Sequence, residues 1–200
     1  MSLTFSETSV ASALKDATKE LHQLAEASLH PKLHQIVSRQ DYASILKMFY
    51  GYFHPMEALI SRYITEKQLP DITERRKSSL IMDDLHSLDC DLKNTDICAS
   101  LPTINDVLDA LGAMYVLEGS SLGGRMITKI LLRNQHAGLT TNHLRFFNGY
   151  GEDTGPKWLA FQNVINLYKT HEDRLIESAN QTFRYFAGWI EQTLYHESKN

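Results

Sequence analysis

The chain has 200 residues, 42% hydrophobic and 22% charged, with a formal net charge of −4 at pH 7. These values fit one soluble globular domain over residues 1–200. They argue against a dedicated nucleic-acid binder, which needs a clustered basic face, and no apolar run reaches the ~18 residues of a membrane span. Met1–Val10 lacks the basic and apolar regions of a signal peptide, and Cys90 and Cys98 alone make no disulfide framework. A cytoplasmic location is the expectation.

Strand signals are scarce and helix signals strong. A first helix is expected from Ser9 to about Leu29, with Leu14, Ala17, Leu21, Leu24 and Ala25 at helical spacing and Pro31 as the stop. A second opens at Ser38, paired with Asp41 as a capping box, and runs to about Lys67, before Pro70. A third is capped by Asp71, with Glu74 at its third position, and ends near Leu88. Asp89–Pro102 reads as loop. Thr103 and Asp106 suggest the start of a fourth helix, with Gly138 as its stop. A fifth begins with Pro156 at its first position, and a last runs from Thr170 to about His196. Helices joined by short loops make the expected fold class all-α, a multi-helix bundle.

The fourth helix carries an anomaly: Gly119, Gly123 and Gly124 fall within Gly119–Gly124. Each costs about 0.5–1 kcal/mol relative to Ala in a helix interior. Three readings stand: a loop splitting two helices, close helix–helix packing, or a flat ligand lying on bare backbone. Gly119 and Gly123 share a helix face, and Tyr115 lies one turn earlier on it. The segment lacks the Lys–Ser/Thr ending of a phosphate loop, and no strand precedes it.

Among nine histidines, His22 has the most suggestive neighbours. Glu26, one turn on, could accept the Nδ1 proton and leave Nε2 free for a metal. Lys15 lies two turns earlier, about 10 Å along the axis, where a cation could meet a ligand carboxylate. Thr18 lies between. A half-buried histidine among surface charges explains the same spacing. His30 and His34 form an i, i+4 pair that Pro31 is expected to break. No HExxH motif or Cys/His cluster offers a rival metal site.

The run Leu14–Glu26 resembles the haem-ligand helix of haem oxygenases. Tyr115–Arg125 is similar to their distal helix in its bacterial form. Gly149–Trp158 resembles a segment of bacterial members, including those associated with bacteriophytochromes. The resemblance extends over nearly the whole chain. It implies a haem-oxygenase-like bundle that cleaves haem, at once cofactor and substrate, to biliverdin, carbon monoxide and ferrous iron, using dioxygen. It implies His22 as the iron ligand with Glu26 as its partner, and Lys15 and Tyr115 at the propionates. Gly119 and Gly123 would lie against the haem face, making Gly119, Ser120 and Gly123 the catalytic positions. Ser120 stands where mammalian members carry an aspartate, which leaves the distal proton source open. Lys157, Arg174 and Arg184 are candidates for further propionate contacts. Electrons are expected from an external donor, a ferredoxin or a reductase, and a bilin-binding photoreceptor could lie downstream. The rival readings are a non-catalytic haem carrier or sensor on the same fold, a haem-free thiaminase-like enzyme, and a plain helical interaction module.

Overall fold

A computed structural model describes residues 9–195. Among the described residues there is no strand, and seven α-helices follow in order: α1 Val10–His34, α2 Arg39–Ile60, α3 Ser79–Ser87, α4 Val107–Arg133, α5 Arg145–Asn148, α6 Thr154–Asn166 and α7 Glu172–Tyr195. The fold is all-α, as the sequence suggested.

The boundaries show where local signals mislead. Helix α1 does not stop before Pro31 but continues through it to His34. Proline removes one N–H donor, and so one helical bond. Leu29 and Leu33, both buried, pack on either side of the gap and hold the turn. His30 and His34 therefore do meet, with their Nε2 atoms 3.2 Å apart.

Helix α2 opens with the expected box: Ser38 Oγ accepts from the Asp41 N–H at 3.1 Å, and the Asp41 carboxylate accepts from the Ser38 N–H at 2.9 Å. It ends at Ile60 rather than Lys67, and the segment beyond runs as turns that bury Ile64 and Leu69. Asp71 caps nothing with its side chain, because its carboxylate binds Arg75 and Lys157 instead. Helix α3 accordingly starts only at Ser79.

Asp106, not Thr103, caps α4, accepting from the N–H groups of Leu108 (2.9 Å) and Asp109 (3.1 Å). Helix α4 then runs unbroken through Gly119–Gly124 and closes at Asn134, short of Gly138. Pro156 is the third residue of α6 rather than its first. Helix α7 begins at Glu172, two residues after Thr170, and the expected end at His196 lies outside the described residues.

Helix α7 packs along both α1 and α4, while α2 crosses beneath. Tyr52 Oη donates to the Thr182 carbonyl at 2.7 Å, and Trp189 Nε1 donates to the Met48 carbonyl at 2.8 Å, so two α2–α7 contacts satisfy buried polar atoms. Between them lies an aromatic cluster centred on Phe49, with ring centroids 5.6 Å from Phe53, 5.7 Å from Phe146, 5.1 Å from Phe147 and 5.6 Å from Phe186. This cluster is the floor on which α1 and α4 stand apart.

Candidate active site

The gap between α1 and α4 encloses a cavity of about 620 Å³. That volume suits a cofactor-sized ligand, and the walls are mainly apolar with few polar groups, as such sites usually are. Lys15, Thr18, Lys19, His22 and Glu26 line it from α1, and Tyr115, Gly119, Ser120 and Gly123 from α4. Lys15, His22, Glu26, Tyr115, Gly119, Ser120 and Gly123, all picked out in the sequence, therefore border one space, whereas Lys157, Arg174 and Arg184 do not. Residues on helices about a hundred positions apart meet because α7 holds α1 against α4.

The α1 wall is loosely held. His22 and Glu26 side chains are 51% and 63% exposed. His22 stands edge-on to Phe183, at 5.6 Å between ring centroids. Its contact to Glu26 differs from the expected one: Nε2, not Nδ1, faces Glu26 Oε1, at 3.6 Å. That distance is too long for a hydrogen bond. The ring is half exposed with only one aromatic edge against it, so a turn about χ2 is unobstructed by any bond. Lys15 is exposed and makes no ion pair among the described residues.

The α4 wall is set by what its glycines meet. A Cβ on Gly124 would overlap the backbone carbonyl of Phe147, so this glycine permits close packing of α5 on α4. A Cβ on Gly123 would meet nothing within 4 Å, and one on Gly119 would touch only the Trp158 rim at 3.6 Å. Packing thus explains Gly124 but not the two glycines facing the cavity. Tyr115 stacks obliquely on Trp158, with centroids 5.4 Å apart, and burial raises its phenol pKa.

Behind α4 lies a polar assembly that sequence spacing does not reveal as a unit. Ser120 Oγ donates to the Leu117 carbonyl at 2.6 Å and accepts from Arg76 Nη2 at 2.6 Å. Arg76 Nη2 also donates to the Leu117 carbonyl at 2.6 Å. The guanidinium lies over Phe146 and Phe53, with Cζ 4.5 Å and 5.5 Å from the ring centroids. Burial lowers its pKa, opposed by the charges of Glu118 and Glu57. The Arg76 N–H donates to Tyr150 Oη at 2.8 Å, and Tyr150 Oη donates to Glu118 at 2.9 Å. Glu118 also accepts from Arg75 Nη1 at 2.7 Å, with both side chains buried (6% and 2% exposed). Lys157, a candidate anion contact from the sequence, is consumed here by Asp71 (2.9 Å) and Glu74 (2.8 Å). Arg174 binds Asp106 and Asp109, and Arg184 lies 3.8 Å from Glu177, so neither is drawn to the cavity. Arg76, Phe53 and Leu117 also border a second cavity of about 340 Å³, which Glu57 and Glu118 help to line. Only a short basic run, Arg75–Lys77, marked this assembly in the sequence, and such a run usually reads as surface.

The sequence matches the "Heme oxygenase" family model over residues 8–192. It is 24% identical over 179 residues to heme oxygenase PigA of Pseudomonas aeruginosa, covering 88% of each chain. The fold is similar to NO- and CO-bound heme oxygenase from Neisseria meningitidis, with TM-score 0.76, 21% identity and 92% of each chain covered. It is also similar to heme oxygenase-1 from the cyanobacterium Synechocystis in complex with heme, with TM-score 0.69, 17% identity and coverage of 95% of this chain and 94% of that one. With the family match spanning nearly the whole sequence, the chain belongs to the haem oxygenase family.

Proposed function

We propose that this chain is a haem oxygenase that cleaves haem to biliverdin, carbon monoxide and ferrous iron, consuming dioxygen and electrons from an external donor. The observation that carries this reading is the pairing of His22 with side-chain-free backbone at Gly119 and Gly123 on opposite walls of one cavity. Haem supplies the redox-active iron and the oxidisable ring; the protein supplies position and polarity.

His22 would hold the haem iron through a neutral imidazole nitrogen, a ligand that suits dioxygen binding better than thiolate does. Once the ring turns, Glu26 can accept from the other nitrogen and fix the tautomer. Lys15 and Tyr115, which both line the cavity, would meet haem propionates by ion pair and hydrogen bond. Gly119 and Gly123, free of side chains, would let the α4 backbone lie against a bound haem. Ser120, held by Arg76, presents a hydroxyl where relatives of another branch carry a carboxylate. Arg76 cannot shuttle a proton at neutral pH, so its part is to orient Ser120 and water beside it. Apolar walls of Phe49, Phe53 and Phe146 keep the bulk of the cavity dry.

The test is to add one equivalent of haem to the purified protein, then ascorbate in air. The Soret band is expected to decay as a bilin spectrum and carbon monoxide appear. A stable haem complex that makes no bilin is a carrier or sensor; absence of haem binding points to a haem-free relative.

A further inference from the structure

We propose that His30 and His34 form a binding site for a divalent transition-metal ion of the Cu2+, Ni2+ and Zn2+ class, apart from the haem cavity, which neither residue lines. The two lie one turn apart on α1, and both are exposed. Their Nε2 atoms are 3.2 Å apart. Metal–imidazole bonds of about 2.0–2.1 Å put two nitrogens on one ion roughly 2.9–3.4 Å apart, from a right angle to a tetrahedral one. The rings are tilted by 56° with centroids 4.4 Å apart, so the nitrogens meet obliquely, as neighbouring ligands of one ion do, rather than head-on.

The backbone holds this arrangement in place. Pro31 lies between the two histidines, yet α1 runs through it, with Leu29 and Leu33, the residue before each histidine, buried. Their burial fixes the turn and leaves both rings outward, so little order is lost when an ion arrives. His34 is the last residue of α1, where the carbonyl end of the helix dipole favours a cation.

The donor set decides the ion. Neutral imidazole suits Cu2+, Ni2+ and Zn2+, whereas Mg2+ and Ca2+ require oxygen ligands. Among the described residues no third His, Cys, Asp or Glu completes the set, so the remaining positions fall to water and the ion is exchangeable rather than structural. His22 and Glu26, the other i, i+4 pair, match less well, because the ring nitrogen and the carboxylate oxygen stand 3.6 Å apart. In the ion-free chain one ring of the His30–His34 pair donates to the other. On binding, each Nδ1 carries the proton and both Nε2 lone pairs turn to the ion.

The test is calorimetric titration of the purified protein, free of any affinity tag, with Ni2+, together with electron paramagnetic resonance of its Cu2+ complex. Wild type is expected to bind one Ni2+ per chain, with no competition from Mg2+. His30→Gln and His34→Gln are each expected to weaken Ni2+ binding about tenfold or more, since the second imidazole binds as an intramolecular ligand, and the double variant to abolish the site. The Cu2+ signal should show coupling to two nitrogens in wild type and to one in either single variant. Both side chains are exposed, so the ion-free variants should keep the wild-type Tm, while Ni2+ raises the Tm of wild type and not that of the double variant. A double variant that binds Ni2+ as wild type does overturns the proposal. So does a site lost in His22→Gln but kept in the double variant, or a wild type with no saturable one-to-one binding of Ni2+ or Cu2+ at a Kd below about 1 mM. None of these readouts depends on haem or its turnover.

Discussion

The two walls of the cavity are built differently. On α1, His22, Glu26 and Lys15 are exposed and tied to almost nothing. On α4, Ser120 and the backbone around Leu117 are anchored through Arg76, Tyr150, Glu118, Arg75 and Asp71 into a buried network. A ligating side chain can adjust to its metal by rotation. In the proposed reading the α4 wall would have to leave space for dioxygen on one side only, and such a wall would have to be rigid. If the proposed function holds, the difference would place rigidity where discrimination is needed and freedom where a bond to iron would supply the order.

Substitutions can break this contrast to different degrees. Gly124→Val forces a side chain into the Phe147 carbonyl. Overpacking against backbone is expected to cost about 3 kcal/mol or more, seen as a large fall in the urea midpoint. A midpoint near wild type means that α5 is free to move away. Arg76→Met removes the hydrogen bonds to Ser120 and Leu117 and a cation over two aromatic rings. Roughly 1–3 kcal/mol of stability should go. Bilin formation should fall further than haem affinity does, since no contact to the α1 wall is touched. Equal losses in both would make Arg76 a structural residue only.

The next effect is smaller and pH-dependent. Asp84 accepts from the N–H groups of Arg145 and Phe146, both at 2.9 Å, and so holds α5 beneath the α4 wall. Burial pushes its pKa up to about 6. The folded state therefore holds the proton more tightly than the unfolded chain, whose value is near 3.9. The resulting stabilisation is complete below about pH 3.9 and is lost as pH rises through 6. Relative to Asp84→Asn, wild type should gain on the order of 1 kcal/mol between pH 7 and pH 5. Parallel stability curves for the two proteins would show that Asp84 titrates normally. Smallest is Gly123→Ala. With nothing near its Cβ, this change should stabilise the helix by about 0.5–1 kcal/mol while weakening haem binding. Gain in both properties would mean that the α4 backbone is not a haem-contacting wall.

The same contrast explains what the sequence could reveal. On α1 the shared face of Lys15, His22 and Glu26 was legible from spacing, but spacing alone favoured an ordinary charged surface, and only the family resemblance pointed to a site. The glycines on α4 were legible as an anomaly, since helix propensity penalises them, but spacing could not separate Gly124, which packs, from Gly119 and Gly123, which face the cavity. Arg76 was invisible, because its role comes from a contact across 44 positions of sequence. The helix boundaries failed for a related reason. Pro31 and Asp71 carry local signals that tertiary contacts override, by burial of Leu29 and Leu33 in one case and by ion pairs to Arg75 and Lys157 in the other.

The central claim is that His22 and the bare face of α4 are opposite sides of one haem slot. The absorption spectrum of the ferric haem complex tests it most directly, recorded for wild type and His22→Ala with and without added imidazole. The account predicts a histidine-ligated spectrum in wild type, its loss in the variant and its return with imidazole, at nearly unchanged protein stability because His22 is half exposed. A variant that keeps the wild-type spectrum without imidazole would place the iron on another residue and contradict the account.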